Sequence, residues 1–286
     1  MGSVFMWQKN YDGSPVLYLV PTPIGNMEDM TFRAINVLKS VSAIFSEDTR
    51  VTKNLLNYFD INNKLISLHD HNEDNVKDRV LDYLNEGKSV AKVTDRGTPI
   101  ISDPGYKTVK YVSDAGFRVV GLPGACSFVP SLVMSGLAPQ PFTFYGFLDS
   151  KVEKKRKELE KLKFIENVII FYEAPHRIKK TMEMLLEVFG DRNVSLSREI
   201  SKKYESVYRG SISNLLPTLD DIKGEFVVVV DGFRNEITEI DDLTVIEQVN
   251  FYIENGMKTM DAIKIVAKER GMKKNDVYAE YHRGDK

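Results

Sequence analysis

The stretch "VTDRGTPIISDPG", residues 93–105, places three charged side chains, two prolines and two glycines directly after a short β-branched run. Glycine lets the main chain turn sharply or approach a ligand closely, and proline stiffens the turn. A loop this polar and this rigid fits the carboxyl end of a parallel strand, where ligands of open α/β sheets bind. The fold then turns on whether the arrangement recurs. "PTPIGN" (21–26), "SEDTR" (46–50) and "LPGACS" (122–127) each follow a short apolar run in the same way. In a parallel sheet such loops share one edge, which is the expected active site.

Working outward, strands are expected at 16–20, 43–46, 65–67, 89–94, 118–121 and 142–146. Amphipathic segments at 31–38, 51–59, 75–85, 106–115 and 127–135 lie between them. This alternation argues for a mostly parallel sheet with helices on its faces. The composition changes at "KVEKKRKELEKLK" (151–163), which holds seven basic and three acidic residues. A second set of strands is expected at 168–172, 193–197, 207–210 and 226–231, with a helix at 178–189, as in an α+β domain. The acidic "RNEITEIDD" (234–242) reads as a linker to a final helix-turn-helix-like piece, with Gly271 in its turn and Thr259 as N-cap. The domains are therefore a leader at 1–15, an α/β domain at 16–148, an α+β domain at 149–232 and a helical extension at 233–286.

The 286 residues suffice for roughly two domains of about 100–200 residues each. A net charge of −2 excludes a globally basic nucleic-acid binder, so any such contact must come from local patches. The single cysteine excludes a disulfide framework. No apolar run approaches the ~18 residues of a membrane helix, and a cytoplasmic protein is the expectation. No G-x-G occurs, so the dinucleotide fingerprint and the glycine loop of common Rossmann-type methyltransferases are absent. "GKS" at 87–89 lacks the P-loop glycine, Asp82 standing in its place. His69 and His71 have no second ligand cluster, and no metal is expected.

Together, "LYLVPTPIGNMEDMTFRA", "SEDTR", "DRGTPIISDPGY", "LPGACS", "FYEAPHR" and "GEFVVVV" resemble the tetrapyrrole methylase superfamily, in its branch acting on small-subunit ribosomal RNA. The resemblance covers about 16–231 and extends to the helical tail. It implies a two-domain tetrapyrrole-methylase-like α/β fold: a mostly parallel N-terminal sheet, an α+β second domain and a small C-terminal helical extension. It also implies S-adenosylmethionine bound between domains, a homodimer, and 2′-O-methylation of a cytidine in the decoding region. The partner would be small-subunit rRNA or the assembled small subunit. Carried over by motif, the cofactor residues are Pro23, Ile24, Gly25, Asn26, Asp95, Gly97, Thr98, Pro99, Asp103, Pro104, Gly105, Gly124, Ser127 and Phe128. Phe171, Tyr172, Glu173 and Pro175 join them from the second domain. Arg96 departs from the family's usual alanine and would oppose a sulfonium ligand unless it points away.

A ribose hydroxyl is a poor nucleophile at neutral pH, so a proton acceptor is sought near the edge. Glu47, after a strand expected to be buried, ranks first. Asp48 and Arg50 read either as catalytic participants or as a helix cap and its ion-pair partner. His71 and Glu73 of "HDHNE" are further candidates. Lys154, Lys155, Arg156, Lys202 and Lys203, with the basic tail, are the expected phosphate contacts. A methyltransferase of tetrapyrrole-like macrocycles and an RNA-binding module without turnover are the alternatives.

Overall fold

A computed structural model of the chain describes residues 8–10, 12–220, 222–234 and 243–283. Most of the expected leader and nearly all of the linker at 234–242 lie outside the described residues. One compact unit ends at Phe233, and a second begins at Arg234.

The first unit opens with a wholly parallel sheet of five strands, β1 (Val16–Leu19), β2 (Ile44–Ser46), β3 (Leu65–Ser67), β4 (Val90–Lys92) and β5 (Arg118–Gly121), in the order β3-β2-β4-β1-β5. Successive side chains point to opposite faces of a strand, and both faces here are apolar. Val16 and Ile44 pack with Leu38 of α1 (Phe32–Ser40) and Leu56 of α2 (Thr49–Tyr58). Their neighbours Leu17 and Phe45 pack with Val80 and Leu84 of α3 (Glu73–Asn85) and Val112 of α4 (Tyr106–Asp114). The order sets β1 between β4 and β5, so the loops leaving these three strands emerge side by side.

A second five-stranded sheet contains β6 (Phe142–Phe147), β7 (Val168–Glu173), β8 (Asn193–Arg198), β9 (Ser206–Ser211) and β10 (Phe226–Val230), in the order β6-β7-β10-β8-β9. Central β10 is antiparallel to both neighbours, and its five residues are buried, which is why "FVVVV" is an unbroken apolar run. One face packs on Leu159 of α6 (Val152–Leu162), Met182 and Leu185 of α7 (Ile178–Phe189), and Ile212 of the short α8 (Ile212–Leu215). The opposite face packs on Leu132 of α5 (Phe128–Met134). The chain leaves the first sheet through α5 and covers the second with it.

The strand expected at 142–146 belongs to this second sheet, so the sheets divide after α5 and not at 148. β6 pairs in parallel with β7, Phe142 opposite Val168, through the α6 crossover. An apolar run shows that a strand exists but not which sheet takes it.

The second unit packs α9 (Val245–Glu254), α10 (Thr259–Glu269) and α11 (Lys274–Arg283) around Val249, Ile263, Val266 and Val277. Helix α9 adds to the two helices expected, and it starts on a capping box of Thr244 and Glu247. Thr259 is the first helical residue and not the cap, which is Lys258. Among the described residues no helix is long and apolar enough to cross a membrane.

Candidate active site

The loops after β1 and β4 are stitched together at their roots. Thr22 N–H donates to Gly97 O at 2.9 Å and Gly97 N–H to Thr22 O at 3.0 Å. Gly97 has φ +82°, open to glycine without penalty. Two non-glycine residues of the same loop are also left-handed, Ile100 at φ 78° and Ser102 at φ 65°. A β-branched residue there is strained by roughly 1–3 kcal/mol, and such strain persists only where surroundings enforce it. The loop after β1 reaches the second sheet through Gly25, where a Cβ would lie 2.4 Å from Lys202 Cγ and 3.0 Å from Ser201 O. Asn26 N–H donates to Ser201 Oγ at 3.1 Å.

Two adjoining cavities open at this edge. The first, of about 530 Å³, is lined by the expected Ile24, Gly97, Thr98, Asp103 and Ser127 from the first sheet's loops and by Tyr172, Glu173 and Pro175 from β7 and the turn after it. Ile101, Cys126, Phe147 and His176 are among its further wall residues and were not singled out from sequence, whereas Val227 comes from the "GEFVVVV" motif. His176 stands inside "FYEAPHR", directly after Pro175, so that motif already held the signal. The second cavity, of about 360 Å³, is lined by Pro23, Ile24, Gly25, Asp95 and Lys202 among the expected residues, together with Thr52, Thr94 and Arg96.

Asn26, Pro99, Pro104, Gly105, Gly124, Phe128 and Phe171 line neither cavity. Several of them shape the walls from behind. A Cβ on Gly124 would meet Pro21 Cβ at 2.6 Å, and Phe128 stacks on Phe144 with ring centroids 4.5 Å apart. Arg96 lines both cavities, and its guanidinium reaches across to Glu225 Oε1 at 3.0 Å. Lys202 meets Glu225 at 2.7 Å and Glu199 at 3.0 Å.

Beneath the loops lies a buried polar cluster. Lys92 is 1% exposed, and its ammonium donates to Leu68 O at 3.2 Å and Val93 O at 3.0 Å. Burial pushes its pKa down, while the charges of Glu47, Asp103, Glu73 and Asp95 oppose that shift. Burial pushes the Asp103 carboxyl up to about 6; the Thr94 hydroxyl opposes this and the Glu47 charge adds to it. Thr94 Oγ1 donates to Glu47 Oε2 at 3.2 Å, and its one proton can turn to either carboxylate. Burial raises the Tyr172 phenol to about 12, and Ser127 Oγ donates to it at 3.0 Å.

Asp48 caps α2, accepting from Arg50 N–H at 2.8 Å and pairing with its guanidinium at 2.6 Å. That hydrogen bonding takes Asp48 down to about 2. Asp95 anchors the same helix start, accepting from Asp48 N–H at 3.0 Å. His71 lines neither cavity and lies edge-on to His69 with centroids 6.0 Å apart. Glu73 does not face the crevice: it is 4% exposed and accepts from Thr108 N–H at 2.7 Å, at the start of α4.

Of the basic stretch, Lys155 is not a surface residue. It is 5% exposed, with Thr181 Oγ1 at 2.6 Å and Glu173 Oε2 at 3.4 Å. Its register on α6 turns it toward the second sheet, where Glu173 also holds Arg177 at 2.7 Å. Lys154 pairs with Asp149 at 3.6 Å, and Arg156 grips Glu187 through two hydrogen bonds of 2.8 and 2.7 Å. Lys203 lies over the ring of Tyr204. Among the described residues no cluster of three or more His, Cys, Asp or Glu could hold a metal ion.

Comparison with known proteins agrees with this architecture. Residues 16–216 match the model of the tetrapyrrole (corrin/porphyrin) methylases. Ribosomal RNA small subunit methyltransferase I of Bacillus subtilis is 48% identical over 93% of this chain and 94% of its own length. The protein of that name from Halalkalibacterium halodurans is 43% identical over 95% of this chain and 96% of its own. A solved uroporphyrin-III-C-methyltransferase from Thermus thermophilus shares the fold at 20% identity and a TM-score of 0.55, covering 76% of this chain and 94% of its own. The chain thus belongs to the tetrapyrrole methylase family, in the branch of relatives named ribosomal RNA small subunit methyltransferase I.

Proposed function

We propose that this chain transfers a methyl group from S-adenosylmethionine to small-subunit ribosomal RNA, at the 2′-oxygen of a cytidine in the decoding region. The proposal includes a homodimer working in the cytoplasm on free rRNA or on the assembled subunit. What carries the reading is one cleft of about 530 Å³ at the carboxyl edge of the parallel sheet, in a chain whose relatives are named for rRNA methylation.

The cleft fits such a cofactor. Its volume lies within the ~300–1,000 Å³ of small-molecule sites. Ile101, Phe147 and Val227 offer apolar wall for a nucleoside base, and Asp103 offers a carboxylate to a sulfonium. Arg96 is turned to Glu225, so its charge is balanced beside the cleft.

When bound, S-adenosylmethionine supplies a methyl carbon whose bond to sulfur breaks, with the electron pair left on sulfur, as the ribose oxygen attacks in line. The protein's share is positioning and proton handling. The stitched loops hold the cleft's shape; Glu47 lines neither cavity, so the Thr94 hydroxyl passes its own proton to Glu47 as it takes the one the ribose oxygen releases.

The test is transfer of labelled methyl to small ribosomal subunits lacking the modification, with the labelled nucleotide mapped. Label at a cytidine ribose supports the proposal; label only in a porphyrinoid substrate overturns it. Glu47→Gln is expected to lower turnover at least tenfold, on the order of a lost general base, with little change in S-adenosylhomocysteine affinity. Equal loss of both would make Glu47 a binding residue.

A further inference from the structure

The smaller cavity, whose lining includes the Thr94 used in the chemistry above, shares a wall with the cofactor cleft. Ile24 and Arg96 line both spaces. Group transfer demands reacting atoms about 3–3.5 Å apart, so an acceptor must occupy a space next to the donor. At about 360 Å³ the cavity sits at the small end of ligand sites, suited to one nucleoside and too small for a macrocycle.

Its lining is chemically specific. Thr52 on α2 is 2% exposed, and its hydroxyl finds no hydrogen-bond partner among the described residues. A buried hydroxyl left unpaired costs about 1–3 kcal/mol, which a ligand's polar edge would relieve. Thr94 and Asp95 add a second hydroxyl and a carboxylate, and Lys202 and Arg96 set two cations at the cavity wall. Lys202 and Arg96 share Glu225, at 2.7 and 3.0 Å, and Lys202 also meets Glu199 at 3.0 Å, so an incoming phosphate would exchange with these carboxylates for the two cations.

We propose that this second cavity is the acceptor subsite, taking a single unstacked ribonucleotide whose polar edge meets Thr52 and Asp95 and whose flanking phosphate meets Arg96 and Lys202. The assignment rests on the RNA-methylating function proposed above. Single-stranded RNA is read by splaying out individual bases, and enzymes acting on one nucleotide remove it from the stack into a close-fitting pocket. Arg96 then has a use: it stands between donor and acceptor and serves the acceptor's phosphate.

Two variants test this in the full chain. Val51→Trp fills the mouth of the cavity from α2, and Thr52→Val removes only the hydroxyl. With unmodified small-subunit RNA as probe, Val51→Trp is expected to raise KM or lower kcat/KM at least tenfold, and Thr52→Val about three- to tenfold. Both should bind S-adenosylhomocysteine as the parent does and melt within a few degrees of it. Parent-like methylation by both variants, or loss of S-adenosylhomocysteine binding in step with methylation, overturns the subsite. A parent chain that binds S-adenosylhomocysteine but never labels RNA would instead sink the function on which the subsite rests.

Discussion

Gly124 lies where the loop after β5 crosses the loop after β1, and a Cβ there would press on Pro21 Cβ at 2.6 Å and Cγ at 2.9 Å. Neither a proline ring nor the neighbouring backbone yields easily. Gly124→Ala should lower stability by about 1–3 kcal/mol, the usual range for overpacking, read as a lower denaturant midpoint at unchanged slope. Asp103 gives a pH signature of definite sign. Its folded pKa of about 6 stands above the ordinary 3.8, so its favourable contribution is complete below pH 4 and is lost as pH rises through 6. Asp103→Asn should therefore match the parent near pH 4 and exceed it at pH 8 by on the order of 1 kcal/mol after solvent screening. Denaturant titrations at the two pH values check this, and a constant difference would contradict it. Gly25, Gly97 and Gly124 stood out in the sequence because their special roles fall on glycine. The strained Ile100 and the buried Lys92 did not, because φ and burial are set by the surrounding fold and leave no trace in residue type.

At the level of elements, α6 shows why a charge run is a poor guide to surface. Lys155 faces inward onto Glu173, whereas its neighbour Arg156 faces solvent and Glu187. Removing one partner of a buried pair is far worse than losing an exposed one. Lys155→Met should cost about 3 kcal/mol, the low end for a broken buried pair, because Arg177 and Thr181 still hold Glu173. Arg156→Ala should cost far less, because solvent screens its pair with Glu187. Thermal unfolding of the two variants separates them, and equal losses would refute the burial argument. Strands and helices of the first sheet were legible from periodicity, since both faces of each strand are apolar and its loops are punctuated by Gly and Pro. The partner of β6 was not, because pairing depends on the α6 crossover and not on the strand's own residues.

On the scale of the whole molecule, the carboxyl edge of a parallel sheet meets a second sheet through Gly25, Arg96 and Lys202, and the cleft forms there. Three of the four loops read from sequence line one side of it, "SEDTR" contributing no lining residue; the far side was marked only by "FYEAPHR" and "GEFVVVV". On the proposed function, a chain of net charge −2 would hold RNA through local cations. RNA affinity should thus fall roughly tenfold or more between about 50 and 200 mM salt, while S-adenosylhomocysteine affinity changes little. The most direct measurement is calorimetric titration of S-adenosylhomocysteine into the full chain and into a Ser127→Trp variant, whose indole would occupy the larger cleft. One equivalent should bind the parent and none the variant, with both melting alike; a folded parent that takes up no ligand, or a variant that binds it as well as the parent, would contradict the account.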